Sequence, residues 1–180
     1  MPKLKLKEIK IKIGKTRNKN LDSIINIENQ ITPFGMKKSQ YADELLNPIS
    51  HFYVVCIPKT DEVVGYVIFW MIEKLIEIHH IAVSPKYQKM GIGHALMKFI
   101  LDQARQNEIP EIYLEVRKSN MGAIQFYQRF GFKKQGTRKE YYQNPVEDAL
   151  IYKKKSKIQF REINTTFKNR SRDSDWGKNI

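Results

Sequence analysis

Ile81-Ala82-Val83-Ser84-Pro85-Lys86-Tyr87-Gln88-Lys89-Met90-Gly91-Ile92-Gly93 is the stretch of this sequence that decides the fold. It begins with the end of an apolar segment typical of a strand, and from Gly91 onward apolar residues recur at helical spacing. A helix N-terminus offers unpaired backbone N–H groups and the positive end of the helix dipole. Glycines let that backbone approach an anion, and Lys89 adds a positive charge, so the stretch predicts a pyrophosphate site. Gly-x-Gly also occurs in ordinary tight turns, so the spacing alone does not distinguish such a turn from a pyrophosphate site.

Outward from this stretch, hydrophobic periodicity predicts alternating strands and helices. Strands are predicted at 4–13, 52–57, 63–71, 75–83 and 111–116, from Phe132 onward and at 149–152. Helices are predicted at 21–28, 37–46 and 91–106, and a fourth helix is predicted after an N-cap at Ser119. Gly131 is expected to end the last helix, and a loop with Tyr141, Tyr142 and Pro145 to join the last two strands. The order β-α-α-β-β-β-α-β-α-β-β describes an α/β fold, a mixed sheet with helices on both faces.

The composition is that of one folded domain. The chain has 180 residues, which suits a single domain, and 41% of them are hydrophobic, enough to build a core. The longest apolar run, 63–72, is too short to span a membrane, and no secretory signal follows the lysine-rich start. The single cysteine, Cys56, excludes an internal disulfide and a cysteine-based zinc site. We therefore expect a cytoplasmic protein with no membrane segment.

The positive charge is concentrated at the two ends of the chain. The net charge is +13; residues 1–20 hold eight basic side chains against one acidic, and residues 153–180 hold nine against three. Two interpretations stay open: attraction to a polyanion such as RNA, and lysine-rich ends that are merely solvated. Residues 155–180 show no apolar periodicity, so we expect a basic, disordered tail after a folded domain formed by 1–154.

Two motifs resemble those of a known enzyme family. Gln88-x-x-Gly91-x-Gly93 is similar to the Arg/Gln-x-x-Gly-x-Gly/Ala motif of the GNAT superfamily of N-acetyltransferases. The residues Leu114-Glu115-Val116-Arg117, Ser119-Asn120, Ala123, Tyr127 and Gly131-Phe132 are similar to that superfamily's second motif. The likeness is specific over 75–152, looser over 4–74, and greatest to the branch that acetylates protein N-termini, such as the ribosomal-protein-alanine acetyltransferases. It implies the GNAT fold, a mixed and mostly antiparallel sheet of about seven strands flanked by about four helices.

The resemblance also implies acetyl-CoA as the acetyl donor and no metal. It implies that the pantetheine arm lies beside the end of a strand and the pyrophosphate beside the start of a helix, and that Asn120 and Tyr127 approach the cosubstrate. The residues matched in this way to acetyl-CoA are Ile81, Ala82, Val83, Gln88, Lys89, Met90, Gly91, Ile92, Gly93, His94 and Asn120.

Two catalytic roles follow from the same matching, with Glu115 as the general base and Tyr127 as the general acid. An α-amine has a pKa near 8, so part of it is already neutral at pH 7 and a single carboxylate suffices. From the residues alone, Glu115 could instead face outward or pair with Arg117 or a lysine, and Tyr127 could be a core tyrosine with a hydrogen-bonded hydroxyl. The backbone N–H of Val83 is expected to stabilise the oxyanion.

Aromatic residues are expected along the acceptor groove. Tyr141 and Tyr142 match a tyrosine pair that flanks the peptide N-terminus in the relatives, and Phe34, between the first two helices, falls near the opposite wall; ordinary packing remains the alternative. The branch commonly has Pro-Trp where this chain has Pro33-Phe34, which leaves the acceptor sequence open.

The two adjacent histidines and the cysteine are expected to have no central role. His79 and His80 should point to opposite faces of a strand, which favours packing or a minor part in the substrate channel over metal binding. Cys56 lies in a buried strand pattern, too early in the chain to reach a thioester, and is expected to be inert.

We therefore predict an enzyme that moves acetyl from acetyl-CoA to the N-terminal α-amine of a protein, with a ribosomal protein favoured, by direct transfer in a ternary complex. Acetylation of a lysine or of a small amine on the same fold is the first alternative. A non-catalytic protein that associates with the ribosome or RNA through its basic ends is the second. The sequence does not define the oligomeric state.

Overall fold

The computed structural model describes residues 9–156, whose seven strands form one sheet in the order β1-β2-β3-β4-β5-β7-β6. The strands are β1 (Lys12–Lys15), β2 (Ser50–Ile57), β3 (Glu62–Ile72), β4 (Leu75–Val83), β5 (Glu111–Arg117), β6 (Lys133–Gln143) and β7 (Val146–Lys155). The helices are α1 (Leu21–Ile31), α2 (Lys38–Leu46), α3 (Ile92–Gln106) and α4 (Met121–Arg129), with 3-10 turns at Asn18–Asn20 and Pro85–Tyr87. Only β4 and β5 pair in parallel, so the predicted mixed, mostly antiparallel sheet is confirmed.

The helices cover both faces of this sheet, as the sequence predicts. Side chains alternate along a strand, and in β3 Val67 and Phe69 pack into the cluster with α3 and α4, whereas Tyr66 and Ile68 pack into the cluster with α1 and α2. We call these the α3/α4 face and the α1/α2 face. Because β3 is buried on both sides, its sequence is a continuous apolar run rather than an alternating one.

Each helix packs on the sheet through the apolar stripe that its sequence indicates. In α3, Leu96 and Ile100 lie one turn apart and are fully buried, and in α1, Ile24 is fully buried in the opposite cluster. Burying one such side chain stabilises the fold by about 1.5–3 kcal/mol, so a single Leu96→Ala change would remove a large part of a typical domain's stability.

The strands β4 and β5 separate halfway along their length. Their pairing runs only from Leu75 opposite Glu111 to Ile78 opposite Leu114, although β4 continues to Val83 and β5 to Arg117. The register against β3 also shifts at this point, because an extra residue in β4 forms a bulge, and bulges bend a strand. The result is a wedge-shaped gap in the middle of the sheet, next to the starts of α3 and α4.

The structure corrects two predicted details near the C-terminal half. Asn120, not Ser119, caps α4, since its side chain accepts a hydrogen bond from the Ala123 N–H at 3.1 Å. The Ser119 hydroxyl instead donates to Glu147 at 3.1 Å. The predicted loop that holds Tyr141 and Tyr142 is strand β6 up to Gln143, so the tyrosine pair lies on a sheet edge.

Some of the predictions concern residues before residue 9 or after residue 156, which the structure does not describe. Strand β1 covers Lys12–Lys15, and the rest of the strand predicted at 4–13 lies mostly in residues 1–8, outside the described residues. Strand β7 includes Lys155, one residue past the predicted domain end, and Ser156 still donates to the Pro110 carbonyl at 2.7 Å. The disorder predicted for the tail concerns residues 157–180, which also lie outside the described residues.

Candidate active site

A cavity of about 660 Å³ lies on the α3/α4 face, where β4 ends and where α3 and α4 begin. Seven of the eleven residues that the sequence assigns to acetyl-CoA line it: Ile81, Val83, Gln88, Lys89, Gly91, Gly93 and His94. Tyr127 lines the same cavity from α4. Most residues of the first motif and Tyr127, the expected general acid, therefore line the same cavity.

The turn into α3 exposes a row of backbone donors to this cavity. Gly91 is the N-cap with φ +84°, a left-handed conformation that favours glycine, and nothing lies within 4 Å of where its side chain would be. Lys89 also has a positive φ, of 61°. Within the described chain, the N–H groups of residues 89–94 donate to no other group, since the first backbone bond back from α3 is Ala95 N–H to Gly91 O at 3.0 Å. Such a row, at the positive end of a helix dipole, suits an anion.

Side-chain charge and polarity at the same end of the cavity complement the backbone donors. Lys89 and Arg129 both line it, so two cations flank the N-terminus of α3. The Gln88 amide is held in place by a hydrogen bond from its Nε2 to the Val83 carbonyl at 3.1 Å. The inner part of the cavity is apolar, with Phe126 and Phe130 packed edge to face at 5.1 Å between ring centroids. One end therefore suits a diphosphate and the other an alkyl chain.

The gap between β4 and β5 supplies donors to the inner end of the cavity. The Ser84 N–H donates to Val64 O of β3 at 2.9 Å. Because N–H directions alternate along a strand, the N–H groups of Val83 and Ile81 point the other way, toward β5, whose pairing with β4 has already ended. A carbonyl oxygen placed in the gap would therefore meet an available donor, which is what an oxyanion requires.

Tyr127 is buried but keeps its hydroxyl available. Its ring packs against Phe126 and Phe132, at 5.5 and 5.9 Å between centroids, and burial raises the pKa of its hydroxyl far above the ordinary value. The hydroxyl donates to no other described residue, unlike a core tyrosine, which normally finds a partner when buried. It is therefore a protonated donor that borders the cavity.

Glu115 lies on the other side of the sheet. Its neighbours Leu114 and Val116 are buried in the α3/α4 cluster, so the Glu115 side chain is on the α1/α2 face, where only 11% of it is exposed. It accepts a hydrogen bond from Tyr113 and pairs with Arg138 Nη1 at 3.0 Å. Burial and this hydrogen bond together raise the pKa of Tyr113.

Comparisons with known proteins agree with this geometry. The model of the acetyltransferase (GNAT) family matches residues 21–132. A Bacillus subtilis relative, provisionally named a ribosomal protein bS18-alanine N-acetyltransferase, is 32% identical over 143 residues, which are 79% of this chain and 93% of the relative.

The chain belongs to the acetyltransferase (GNAT) family. It is an acyltransferase that depends on acetyl-CoA, as its sequence predicts. The crystal structure of the Escherichia coli ribosomal-protein-S18-alanine N-acetyltransferase has the same fold, with a TM-score of 0.76 at 23% identity, over 86% of this chain and 99% of that one. Arabidopsis thaliana Naa50, in complex with the bisubstrate analogue CoA-Ac-MVNAL, superimposes with a TM-score of 0.68 at 27% identity, over 80% of this chain and 97% of that one.

Four residues that the sequence matches to acetyl-CoA do not line the cavity of this GNAT domain. Ala82 packs on the α1/α2 face, Met90 is exposed at the surface, and Ile92 is buried in the core. Asn120 is the N-cap of α4 and is exposed. Met90 and Ile92 still contribute backbone N–H groups to the row at the start of α3, whereas the predicted contacts of Ala82 and Asn120 stay predictions.

The predicted acceptor residues are partly assembled around Glu115. Tyr141 is half exposed at 46%, and the Glu115 carboxylate against its hydroxyl raises its pKa. Tyr142 packs edge to face on Tyr141 and beneath the Arg117 guanidinium, which is 4.1 Å from its ring centroid. Burial and then the Glu115 charge raise the pKa of Tyr142 to about 12. Phe34, in the α1–α2 loop, is 57% exposed, so its side chain is accessible to an acceptor.

Sequence reasoning missed the partners that surround these residues. The ion pair of Glu115 is with Arg138 of β6, whereas Arg117, the partner considered from sequence, pairs with Glu147 at 3.4 Å. Arg129 was also missed, although it follows Gln125 and Phe126 at helical spacing on α4, a signal that could have revealed the cavity-lining face.

The two histidines depart from the predicted pattern. The extra residue of the β4 bulge places both on the α1/α2 face: the His79 ring packs at a tilt against Trp70, with 4.2 Å between ring centroids, and the His80 ring centroid lies 6.4 Å from that of Tyr41. Burial lowers the pKa of His80 and raises that of Cys56, so neither carries a charge at neutral pH. Within residues 9–156, no cluster of three His, Cys, Asp or Glu side chains could hold a metal, and no helix is long and apolar enough to cross a membrane.

Proposed function

We propose that this enzyme acetylates the N-terminal α-amine of a protein, with a ribosomal protein as the favoured acceptor, by direct transfer in a ternary complex. One observation carries the proposal: the cavity and the Glu115 cluster lie on opposite faces of the sheet, and the gap between β4 and β5 is where they meet. Relatives from Bacillus subtilis and Escherichia coli are named as ribosomal protein bS18-alanine N-acetyltransferases, which supports the same reaction.

The donor would occupy the cavity on the α3/α4 face. We assign its diphosphate to the N–H groups of residues 89–94 together with Lys89 and Arg129, and its pantetheine arm to the apolar wall formed by Phe126 and the end of β4. The thioester carbonyl would then reach the gap, where the Val83 N–H points. The positively charged end of the cavity suits the diphosphate of acetyl-CoA, and the apolar end suits its pantetheine arm.

The acceptor amine would enter from the α1/α2 face, beside Glu115. Its neutral nitrogen attacks the thioester carbon, forming the C–N bond, and the Val83 N–H stabilises the oxyanion. The amine proton goes to Glu115, directly or through one water, and the C–S bond breaks as Tyr127 gives its proton to the departing thiolate. Tyr141 and Phe34 would contact the first residues of the acceptor on the two sides of this entrance.

The α-amine fits this site better than a lysine. Its pKa near 8 leaves roughly a tenth of it neutral at pH 7, whereas a lysine, with a pKa near 10.4, is neutral in well under a thousandth of molecules. Glu115 is already paired with Arg138, so it suits an amine that needs little help to lose a proton. We place the reaction in the cytoplasm, where acetyl-CoA and ribosomal proteins occur together, with ribosome association as a further expectation from the basic ends.

A peptide screen tests this function. The full chain would be incubated with acetyl-CoA and short peptides that carry a free N-terminus and one internal lysine, each paired with a control whose N-terminus is already acetylated. We expect mass spectrometry to find acetyl on the α-amine alone and no reaction with the blocked controls. Acetylation of the lysine in blocked peptides would overturn the proposal in favour of a lysine acetyltransferase.

A further inference from the structure

A second cavity, of about 450 Å³, lies at the end of the sheet where β5 and β6 begin and β7 ends. It is lined by Glu111, Gly131, Lys133, Gln135, Lys153, Lys154 and Lys155. We call it the lysine groove, because four of its seven residues are lysines and only one is acidic. None of these side chains belongs to the acetyl-transfer site.

The strand register places three of the ammonium groups on one face. Lys133 is directly opposite Lys153 in the β6–β7 ladder, and Lys155 follows two residues after Lys153 on β7. Cross-strand partners and residues two apart on a strand share a face. Two like charges placed directly opposite each other destabilise a sheet, and an anion bound beside Lys133 and Lys153 would reduce this repulsion.

Within the part of the chain that the structure describes, little negative charge compensates these lysines. Glu111 pairs with Lys153 at 3.3 Å, and both side chains are more than 40% exposed. Over residues 9–156, Lys133, Lys154 and Lys155 pair with no carboxylate. The four lysines against one glutamate therefore make this end of the sheet positively charged.

We propose that the lysine groove binds the phosphate backbone of an RNA strand. The ammonium groups on β7 are separated by two strand residues, roughly 7 Å, which suits successive phosphates of an extended strand. The groove has no aromatic or aliphatic side chain in its lining, whereas a protein partner normally needs an apolar contact at the centre of the interface. Lysine contacts to phosphate are independent of sequence, so binding should depend on salt rather than on base identity.

Part of the groove lies on the face of the sheet that carries Glu115. Glu111 is four residues before Glu115 on β5, so both side chains point to the α1/α2 face, about 13 Å apart. Given the function proposed above, a protein bound to the same RNA would hold its N-terminus within reach of the transfer site. RNA binding itself requires only the lysines.

The test compares two triple variants with the same change in charge. The groove variant removes three positive charges from the lysine groove by Lys133→Gln/Lys153→Gln/Lys155→Gln. The control variant removes three exposed lysines from β1, the β2–β3 turn and α3 by Lys12→Gln/Lys59→Gln/Lys98→Gln. Binding of the full chain to a fluorescein-labelled 20-nucleotide poly(U) RNA would be followed by anisotropy between 25 and 300 mM salt.

We expect the groove variant to bind RNA at least about tenfold more weakly at low salt, and its log–log salt slope to fall by about 2, for three phosphate contacts at about 0.7 each. The control variant should change affinity by less than about threefold. Equal losses in both variants, or none in either, would overturn the proposal. So would binding of polyglutamate that is tighter than binding of the RNA at equal charge concentration, which would point to an acidic protein instead.

Two further measurements separate folding and catalysis from RNA binding. The thermal unfolding midpoint and the rate of acetylation of a short peptide without RNA should be unchanged in the groove variant; if the triple variant is unstable, Lys155→Gln alone, at the exposed end of β7, should still lower the salt slope. Failure of peptide acetylation in the wild type would remove the proposed function and leave the RNA result intact.

Discussion

Replacing Glu115 by glutamine tests the proton-transfer chemistry most sharply, because the amide keeps the shape of the side chain and can still accept the hydrogen bond from Tyr113. What it loses is the negative charge that takes a proton from the amine. We expect turnover of an N-terminal peptide to fall by roughly 10²–10⁴, the usual contribution of a positioned general base.

The structure limits how much of that loss could come from instability. Arg138, the ion-pair partner of Glu115, is 54% exposed, and an ion pair with a solvent-exposed partner contributes little to stability. A loss of 10²–10⁴ in rate corresponds to about 3–5.5 kcal/mol in the barrier. The effect on catalysis should therefore exceed the effect on folding by a wide margin, and acetyl-CoA binding on the opposite face should be unchanged.

The assay measures kcat and KM for peptide and acetyl-CoA separately, with calorimetry for acetyl-CoA binding. Glu111→Gln is the matched control, because Glu111 lies on the same strand and face, is similarly ion-paired, and is about 13 Å from Glu115. We expect that variant to retain wild-type turnover on a peptide. A Glu115→Gln enzyme with wild-type kcat would show that another group, or water alone, accepts the proton.

Three further predictions address the other parts of the site. Tyr127→Phe should lower kcat by roughly 10–10³ without lowering the unfolding midpoint, since its hydroxyl bonds to no described residue; an unchanged kcat would exclude it as the acid. Gly91→Ala forces an alanine to adopt φ +84°, which costs about 1–2 kcal/mol, and calorimetry should show acetyl-CoA binding weakened about tenfold. Gly14→Ala, the control, also places its methyl group in open space and should not weaken binding. Burial raises the pKa of Tyr41 from 10.0 to about 12, so the unfolded state loses its proton first, and the contribution of Tyr41 to stability, complete below pH 10, should fall above it by up to about 1.4 kcal/mol per pH unit. Urea unfolding from pH 8 to 11 measures this fall, and an equal fall in Tyr41→Phe would contradict the assignment.

The parts of the fold that depend on local pattern could be predicted from the sequence. The apolar run that ends at Val83, the glycines at the start of α3 and the helical period that follows all act within a few residues, so the cradle and its flanking elements were predictable. The bounds of β4 are those predicted, and α3 begins one residue later.

The features that depend on distant partners could not be predicted. The β4 bulge at His79 becomes visible only in the register against β3, and it reverses the expectation that adjacent histidines face opposite sides. Arg138 reaches Glu115 because β7 lies between β5 and β6, an order that no local pattern specifies. Asn120 and Ser119 are both good capping residues, and the hydrogen bonds of Ser119 to Glu147, 28 residues away, decide between them.

A buried polar network on the α1/α2 face was also invisible in the sequence. Glu28 of α1 is only 7% exposed and accepts a hydrogen bond from Tyr66, whose hydroxyl lies 3.0 Å from that of Tyr41. Gly35 of the α1–α2 loop covers this carboxylate so closely that a side chain there would overlap Glu28. The loop that carries Phe34 therefore packs directly on the Glu28 side chain.

The central claim, that the turn into α3 binds the diphosphate of acetyl-CoA, is tested most directly by calorimetry with two thioesters. Acetyl-CoA and S-acetylpantetheine share the reactive end, and only acetyl-CoA has the diphosphate. Two charge-assisted contacts at about 1.5–3 kcal/mol each predict that acetylpantetheine binds at least about a hundredfold more weakly. Equal affinity for the two compounds, or no binding of acetyl-CoA at all, would contradict the account.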